Sequence, residues 1–497
     1  MLLFAHYSRG GSKLSNTPRL AALAAAIALA ALTAGGGAPA RGASFTVNAT
    51  HDAVDAAAGD GVCADAGGAC TPRAAVMEAN ALPGADVVAV SPGSYVLTVG
   101  VGGDHITSLI VRDSLAIVGA GADSTTIDGN QNYNMQNGGI FYLPCGITKS
   151  DVSISGLTIW RGLAEGGGGI DNCGHNLNVR AVAFVENGGA SLYGGGLRNR
   201  YGYATIEDSL FVHNSAQRGS AIDNGGVLTL TNVTVSGNES IQGGGAVSSL
   251  GEATLTNVSI VANVNAGNLP GGLLGNFALN NTLLAANTGS GNCAGAVSSF
   301  GHNLSSDGTC GFTSTGDFQN TEPQLTGLQH NGGPTLIHGL YPNSPAIDAG
   351  DPNSCPATDQ RGVARPQGAA CDIGAYEYVT PPTAPPAEPP TDAPRPADPA
   401  TEPPTSGPTP KPKPSTSPSP SPVPNPSATA ARTQRRLPTP AAAVLVDAPE
   451  QVVEEDAGGG VSPMAAGLAA AGALGIASSA ATGGFFWHRK RRGNRLR

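Results

Sequence analysis

Short runs of alternating apolar and polar residues recur along the middle of the chain, and each repeat ends with a similar tripeptide. Counted at the last residue of each tripeptide (162, 187, 214, 238, 263 and 287), the intervals are 25, 27, 24, 25 and 24 residues. So regular a period predicts a solenoid in which each repeat forms one coil. The tripeptides are Trp160-Arg161-Gly162, Val185-Glu186-Asn187, Val212-His213-Asn214, Ser236-Gly237-Asn238, Val261-Ala262-Asn263 and Ala285-Ala286-Asn287.

Aligning the repeats gives two columns that contain only apolar residues. Runs such as Leu228-Thr229-Leu230 have the period of two that places one face of a strand inward. The glycine density excludes a helical solenoid. We therefore predict an all-β fold, a right-handed parallel β-helix over residues 85–320 with coils of about 25 residues, in which each strand pairs with its counterpart in the next coil. The columns are Ile154, Val179, Ile206, Leu230, Leu255, Leu279 and Ile159, Phe184, Phe211, Val235, Ile260, Leu284.

Glycine and asparagine occupy the predicted corners of the coils. Pairs such as Gly168-Gly169 and Gly195-Gly196 permit sharp backbone turns. Asparagines at equivalent positions of successive coils are expected to form ladders of amide hydrogen bonds and to adopt the left-handed conformation that a corner requires. One ladder is predicted at Asn187, Asn214, Asn238, Asn263 and Asn287, and a second at Asn172, Asn199 and Asn224.

The first coil of a solenoid needs a cover, because an exposed parallel edge promotes aggregation. We assign this cover to residues 44–84, as a strand followed by a capping helix. Thr71 suits the N-cap, Pro72 suits the first helical position, and Ala75, Val76 and Ala79 form one apolar face.

The two ends of the chain predict export and anchoring. Residues 1–40 have the basic start, the apolar run and the small-residue end of a signal peptide, although an uncleaved anchor is an alternative. Residues 464–487 are uncharged and long enough to span a membrane, and the basic residues in 488–497 predict a cytoplasmic tail. An alanine-rich surface helix is the alternative for residues 464–487.

The segment between the body and this anchor is rich in proline. Residues 380–440 contain 22 of the 38 prolines, and a linker follows over 441–463. Such a sequence cannot bury a core, so we predict a disordered or polyproline II stalk. At roughly 3.1 Å per residue, it would reach on the order of 190 Å.

Eight cysteines in an exported chain predict disulfides, and their spacing does not fit a zinc site. Cys145 and Cys173 form the favoured pair, because each precedes a glycine and follows a matching Gly-Gly-Ile at similar points of successive coils. Sequence order suggests the other pairs, Cys63 with Cys70, Cys293 with Cys310, and Cys355 with Cys371.

Three parts of the chain resemble known families. The stretch Cys70 to Asn80, followed by Asp86-Val87-Val88 and Gly93-Ser94-Tyr95, resembles the cap motif of CSLREA-domain proteins, with departures at Pro72 and Ala74. The region 321–378 contains Asn331-Gly332-Gly333-Pro334-Thr335, Ser344 to Gly350, Asp359-Gln360-Arg361-Gly362, Arg365-Pro366 and Cys371 to Glu377. With these motifs it is similar to the choice-of-anchor Q domain, which in its family follows β-helices and precedes varied surface anchors. The short runs Phe184 to Asn187, Phe211 to Asn214 and Gly168 to Ile170 are similar to the repeats of polymorphic outer-membrane adhesins. These resemblances imply surface display and no particular activity.

One column is a candidate for chemistry. Asp171, Arg198 and Asp223 follow the glycine corner in successive coils, so the two carboxylates should lie roughly 9.6 Å apart. That distance is at the upper end for an inverting glycoside hydrolase. The alternative that we favour is an exposed ion ladder, because Arg198 would lower the pKa of both carboxyl groups and leave no general acid. Trp160, Tyr193, Tyr201 and Tyr203 are candidates for stacking on sugar rings, or else are packing residues.

The expected function is therefore adhesion or binding at the cell surface without catalysis. An extracellular glycan or a surface protein is the expected partner, and the C-terminal helix is expected to hold the protein in the cytoplasmic membrane. The alternative is a polysaccharide lyase or glycoside hydrolase. No cofactor or metal is expected, since no metal-binding motif is present, and the formal net charge of -10 argues against nucleic acid.

Overall fold

A computed structural model describes residues 42–100, 107–131, 139–188 and 193–380. The predicted signal peptide (1–40), the stalk beyond residue 380, the linker (441–463), the membrane anchor (464–487) and the basic tail (488–497) lie outside these residues. Within them, no helix combines the length and the apolar character needed to cross a membrane.

The described residues form one helix, α1 (Pro72–Ala81), and many short strands. The strands are β1 Ser44–Val47, β2 Asp86–Val90, β3 Gly93–Val96, β4 Leu109–Ile110, β5 Leu115–Gly119, β6 Thr125–Asp128, β7 Phe141–Leu143, β8 Asp151–Ser155, β9 Thr158–Trp160, β10 Ile170–Asn172, β11 Asn176–Arg180, β12 Ala183–Val185, β13 Leu197–Asn199, β14 Tyr203–Glu207, β15 Leu210–Val212, β16 Ser215–Ala216, β17 Ile222–Asn224, β18 Val227–Thr231, β19 Thr234–Ser236, β20 Glu239–Ser240, β21 Val247–Ser249, β22 Glu252–Thr256, β23 Ser259–Val261, β24 Val264–Asn265, β25 Leu273–Asn280, β26 Leu283–Ala285, β27 Cys293–Ser299, β28 Leu304–Ser305, β29 Leu325–Gln329 and β30 Ile337–Leu340.

These strands build a parallel β-solenoid of about eight turns, which confirms the predicted fold class. Each complete coil contributes one strand to each of three faces. Face 1 has the order β1-β2-β5-β8-β11-β14-β18-β22, face 2 is the nine-stranded sheet β28-β26-β23-β19-β15-β12-β9-β6-β3, and face 3 is β4-β7-β10-β13-β17-β21. The long strand β25 bends at Gly275 and joins faces 1 and 3 into one sheet.

The apolar columns of the repeat fill the interior of the solenoid. Ile206 on face 1 and Phe211 on face 2 are fully buried, as are their counterparts in the neighbouring coils. The rings of Phe184 and Phe211 stack with their centroids 4.2 Å apart. Strand alternation therefore separates a continuous core from an outward row of mostly polar side chains.

The corners differ from the prediction in one respect. The asparagines of the predicted ladders do not adopt the left-handed conformation; the residue before each of the first set does, for example His213 (φ 54°) and Ala262 (φ 55°). The left-handed residue makes the turn, and the asparagine that follows points inward and bonds to its neighbours. At the corner between faces 1 and 2, asparagines do occupy the left-handed positions, at Asn232, Asn257 and Asn281.

Helix α1 begins where the sequence predicts. The Thr71 hydroxyl accepts a hydrogen bond from the Ala74 backbone N–H at 3.1 Å, and Pro72 is the first helical residue. The helix packs against β1, β2 and β4, with Ala75, Val76 and Ala79 in the core. The start of the solenoid is thus in direct contact with an apolar helical face.

The segment after β28 lies along face 2 and bonds to its outward side chains. Asn232 Nδ2 donates to the carbonyl oxygen of Thr358 at 2.8 Å, and Thr234 Oγ1 donates to Gln360 Oε1 at 2.7 Å. Ser236 Oγ donates to Nε2 of His338 at 2.9 Å, while Nδ1 of the same ring donates to the Thr326 carbonyl oxygen. Burial lowers the pKa of His338, which keeps the ring neutral for these two bonds.

The motifs that resemble the choice-of-anchor region form a buried polar network in this segment. Arg365 pairs with Glu377 at 2.8 Å, and both side chains are buried. Arg361 pairs with Asp359 at 2.7 Å. Burial raises the pKa of the adjacent Asp372 to about 7. These charged residues hold the segment's irregular backbone together and do not face solvent.

All four predicted disulfides are formed, with Cα separations between 4.8 and 6.6 Å. No cysteine in the structure is free. Four disulfides in one domain indicate an oxidising, extracellular environment.

Candidate functional site

The column predicted from the repeat is a row of register neighbours on face 3. Asp171 on β10 pairs with Arg198 on β13, which pairs with Asp223 on β17, and Ser248 follows on β21. The short strands and the glycine turn before each of them keep the register, so the sequence alignment translates directly into neighbouring coils.

The contacts within this row differ from the predicted exposed ladder. Asp171 is 1 % exposed and Asp223 is 4 % exposed. Arg200 binds both carboxylate oxygens of Asp171, at 3.1 and 2.6 Å, and Arg218 binds both oxygens of Asp223, at 2.8 and 3.1 Å. The exposed ladder through Arg198 was therefore wrong: each carboxylate is buried and has its own arginine from a neighbouring turn.

The expected pKa of Asp171 was wrong as well. Burial raises the pKa of Asp171 to about 6, and the attraction of Arg200 and Arg198 offsets only part of that rise. A raised pKa is the usual property of a general acid. This carboxyl group, however, is enclosed and doubly bonded to Arg200, so it cannot reach the glycosidic oxygen of a substrate.

Arg198 instead belongs to a cluster with Tyr193. The guanidinium carbon of Arg198 lies 4.6 Å from the centroid of the Tyr193 ring, and that of Arg218 lies 4.7 Å from it. Tyr193 also bridges Gly166 and Arg218 through the backbone. Nε of Arg198 has no hydrogen-bond partner within the described residues. The cluster presents partly exposed cations and one aromatic ring.

The other three aromatic candidates do not join this cluster. Trp160 ends β9 on face 2, where its indole N–H donates to Glu186 Oε2 at 3.2 Å and Arg161 stacks on its ring. Tyr201 and Tyr203 lie at the corner between faces 3 and 1, and both are exposed. The four aromatic side chains therefore lie in three separate places and do not form one sugar-binding platform.

The asparagines of both predicted ladders lie in buried rows. In the first row, each Nδ2 donates to Oδ1 of the next asparagine at 2.9 to 3.0 Å, from Asn187 through to Asn287. In the second row, Asn172 donates to Asn199 and Asn199 donates to Asn224, at 2.9 and 2.8 Å. These hydrogen bonds occupy the side-chain amides, and the asparagines are buried, so neither row can contact a ligand.

Arg200 and Arg218 decide the chemistry of the row, and the sequence did not predict either of them. Arg200 directly follows a ladder asparagine, and Arg218 directly precedes a corner glycine. Both positions are in turns, whose side-chain directions the strand periodicity does not predict.

The described part of the chain contains no group of three or more histidine, cysteine or acidic side chains that could hold a metal ion. No family model, no curated protein and no solved structure matches this chain.

Proposed function

We propose that this protein is an exported, membrane-anchored surface protein whose solenoid binds an extracellular glycan or a surface protein without catalysing a reaction. The observation that carries the proposal is the burial of Asp171 and Asp223, each bonded through both oxygens to an arginine. A hydrolase or lyase needs a carboxyl group or a base that touches its substrate, and this row offers none.

The proposed architecture is a rigid binding body on a stalk. Helix α1 covers the first coil, in keeping with the CSLREA-like motif, and the segment 321–378 corresponds to a choice-of-anchor Q-like region. The proline-rich stalk lifts the body, and residues 464–487 hold it in the cytoplasmic membrane. The signal peptide over 1–40 and the disulfides agree with this direction of export.

Catalysis is tested by incubating the full-length protein with pectic and other polysaccharides and measuring reducing ends and unsaturated products. We expect no turnover, and the same result for Asp171→Asn. Turnover that Asp171→Asn abolishes, while Asp151→Asn on the exposed side of face 1 keeps it, would overturn the proposal.

Anchoring is tested separately by cell fractionation. The full chain should sediment with membranes, and a chain ending at residue 463 should be released in soluble form. Release of both chains, or retention of both, would contradict the assignment of residues 464–487 as the anchor.

A further inference from the structure

The outward side of face 1 carries an unusual row of side chains. It consists of the central outward residue of each of five consecutive strands, from β8 to β22, and we call it the polar row. Each member pairs in register with the next, so the row is straight, with about 4.8 Å between neighbours and about 19 Å in total. Its members are Ser153, Asn178, Thr205, Thr229 and Thr254.

The side chains of the polar row have no hydrogen-bond partner within the described residues, although all five are partly or fully exposed. Their neighbours on the same strands behave differently. Asn176 donates to Asp151 at 2.6 Å, and Arg180 pairs with Asp208 at 3.0 Å. The polar row therefore keeps its donors and acceptors available, whereas Asn176 and Arg180 beside it are bonded within the protein.

An aromatic side chain borders the polar row. Tyr203 precedes Thr205 by two residues on β14, points to the same side of the sheet and is 53 % exposed. Nζ of Lys149 lies 4.0 Å from the centroid of its ring, which holds that ring in place. Tyr201, 78 % exposed, lies at the adjacent corner. The row thus has a partly exposed ring at its side, on which an apolar sugar face can pack.

The far end of the polar row opens into a shallow groove of about 730 Å³. Thr254 lies in its lining with Glu252, Asn276 and Ser298, and apolar groups, among them the exposed Leu250, form much of the rest. A long, open surface that combines polar and apolar groups suits an extended ligand that crosses several coils. It does not suit a small molecule, which needs an enclosed pocket.

We propose that the polar row binds an uncharged polysaccharide, which lies across the coils and exchanges hydroxyl hydrogen bonds with the row while one sugar ring packs on Tyr203. The charge of the row decides the ligand class: its five members are neutral, and Arg180 beside it is paired with Asp208. An anionic polymer would gain no ion pair from the row itself. This inference rests on the proposed binding function and specifies its site.

The test is a sedimentation assay of the full-length protein on insoluble cellulose and on chitin, with polygalacturonate coupled to beads as the acidic comparison. The double variant Thr229→Val and Thr254→Val removes two hydroxyls and retains branched side chains that suit a strand. Thr126→Val, an outward threonine of face 2, is the matched control. Wild type should sediment with cellulose or chitin, and the double variant should bind about tenfold more weakly, as expected for two lost hydrogen bonds. Thr126→Val should bind like wild type, and Tyr203→Ala should weaken binding.

Three outcomes would overturn this inference. They also distinguish failure of the polar row as the binding site from failure of the proposed function. If wild type binds cellulose or chitin and the double variant binds equally well, the polar row is not the site, while surface binding stands. If wild type binds only polygalacturonate, or binds none of the three probes, the ligand class is wrong. If any of the polysaccharides is cleaved, the non-catalytic function itself fails.

Discussion

Replacing one asparagine of the first ladder tests how much that row stabilises the solenoid. In Asn238→Ala, the backbone N–H of Asn214 loses its acceptor, Asn238 Oδ1, at 2.9 Å. The same oxygen accepts from Asn214 Nδ2, and Asn238 Nδ2 donates to Asn263 Oδ1 and to the Phe211 carbonyl oxygen. An orphaned buried donor costs about 1–3 kcal/mol and each lost neutral hydrogen bond about 1 kcal/mol. The expected loss in the free energy of unfolding is therefore about 3–5 kcal/mol.

The assay is guanidinium unfolding of the full-length protein followed by circular dichroism. Asn178→Ala is the control, because it removes an asparagine from the outward side of β11, where its side chain has no hydrogen bond within the described residues. The control should change the free energy of unfolding by no more than about 0.5 kcal/mol. Equal effects of the two variants, or a loss below about 1 kcal/mol for Asn238→Ala, would show that the asparagine ladder does not stabilise the solenoid.

Three further predictions concern the core and the buried titratable groups. Phe211→Ala removes a stacked, fully buried ring and should cost about 3–5 kcal/mol in guanidinium unfolding, whereas Phe300→Ala at the exposed surface should be nearly neutral. Because the pKa of Asp171 rises from 3.8 to about 6, the native state keeps a proton that the unfolded chain has lost. The free energy of unfolding contributed by Asp171 should therefore fall as pH rises from about 4 to 6. Asp171→Asn should remove this pH dependence, and an unchanged pH dependence in the variant would contradict the raised pKa of Asp171. The pKa of His338 lies below 6.5, so acidification below pH 6.5 should destabilise the native state, and His338→Gln should remove that loss in the same titration.

The solenoid could be predicted because its columns are set by strand alternation and by a nearly constant repeat length. Those two features place Ile206 next to Val179 and Leu230, and they also place Arg198 between Asp171 and Asp223. Register follows from the alignment because parallel strands of successive coils pair residue for residue. The helix start at Thr71 was predictable for a local reason, the match between N-cap and first-turn residues.

The partners of side chains in turns could not be predicted in this way. Arg200 reaches Asp171 from the corner after β13, and the direction of a side chain in a turn depends on the local backbone and not on a period. Burial of Asp171 could not be predicted either, because strand alternation places a residue next to the inward Ile170 on the outward side.

The docking of the last segment on face 2 was missed for a different reason. Thr234 and Ser236 look like ordinary outward residues of β19, and their partners Gln360 and His338 are more than 100 residues away in sequence. Such long-range contacts leave no periodic signal. They explain, however, why this face carries polar side chains that are buried.

Binding of a polysaccharide and its cleavage can be measured together in a single assay. The full-length protein is incubated with insoluble cellulose or chitin, and the fraction of protein retained and the reducing ends released are measured in the same sample. We expect retention that depends on the hydroxyls of Thr229 and Thr254, with no increase in reducing ends. Release of reducing ends that disappears in Asp171→Asn would contradict this expectation.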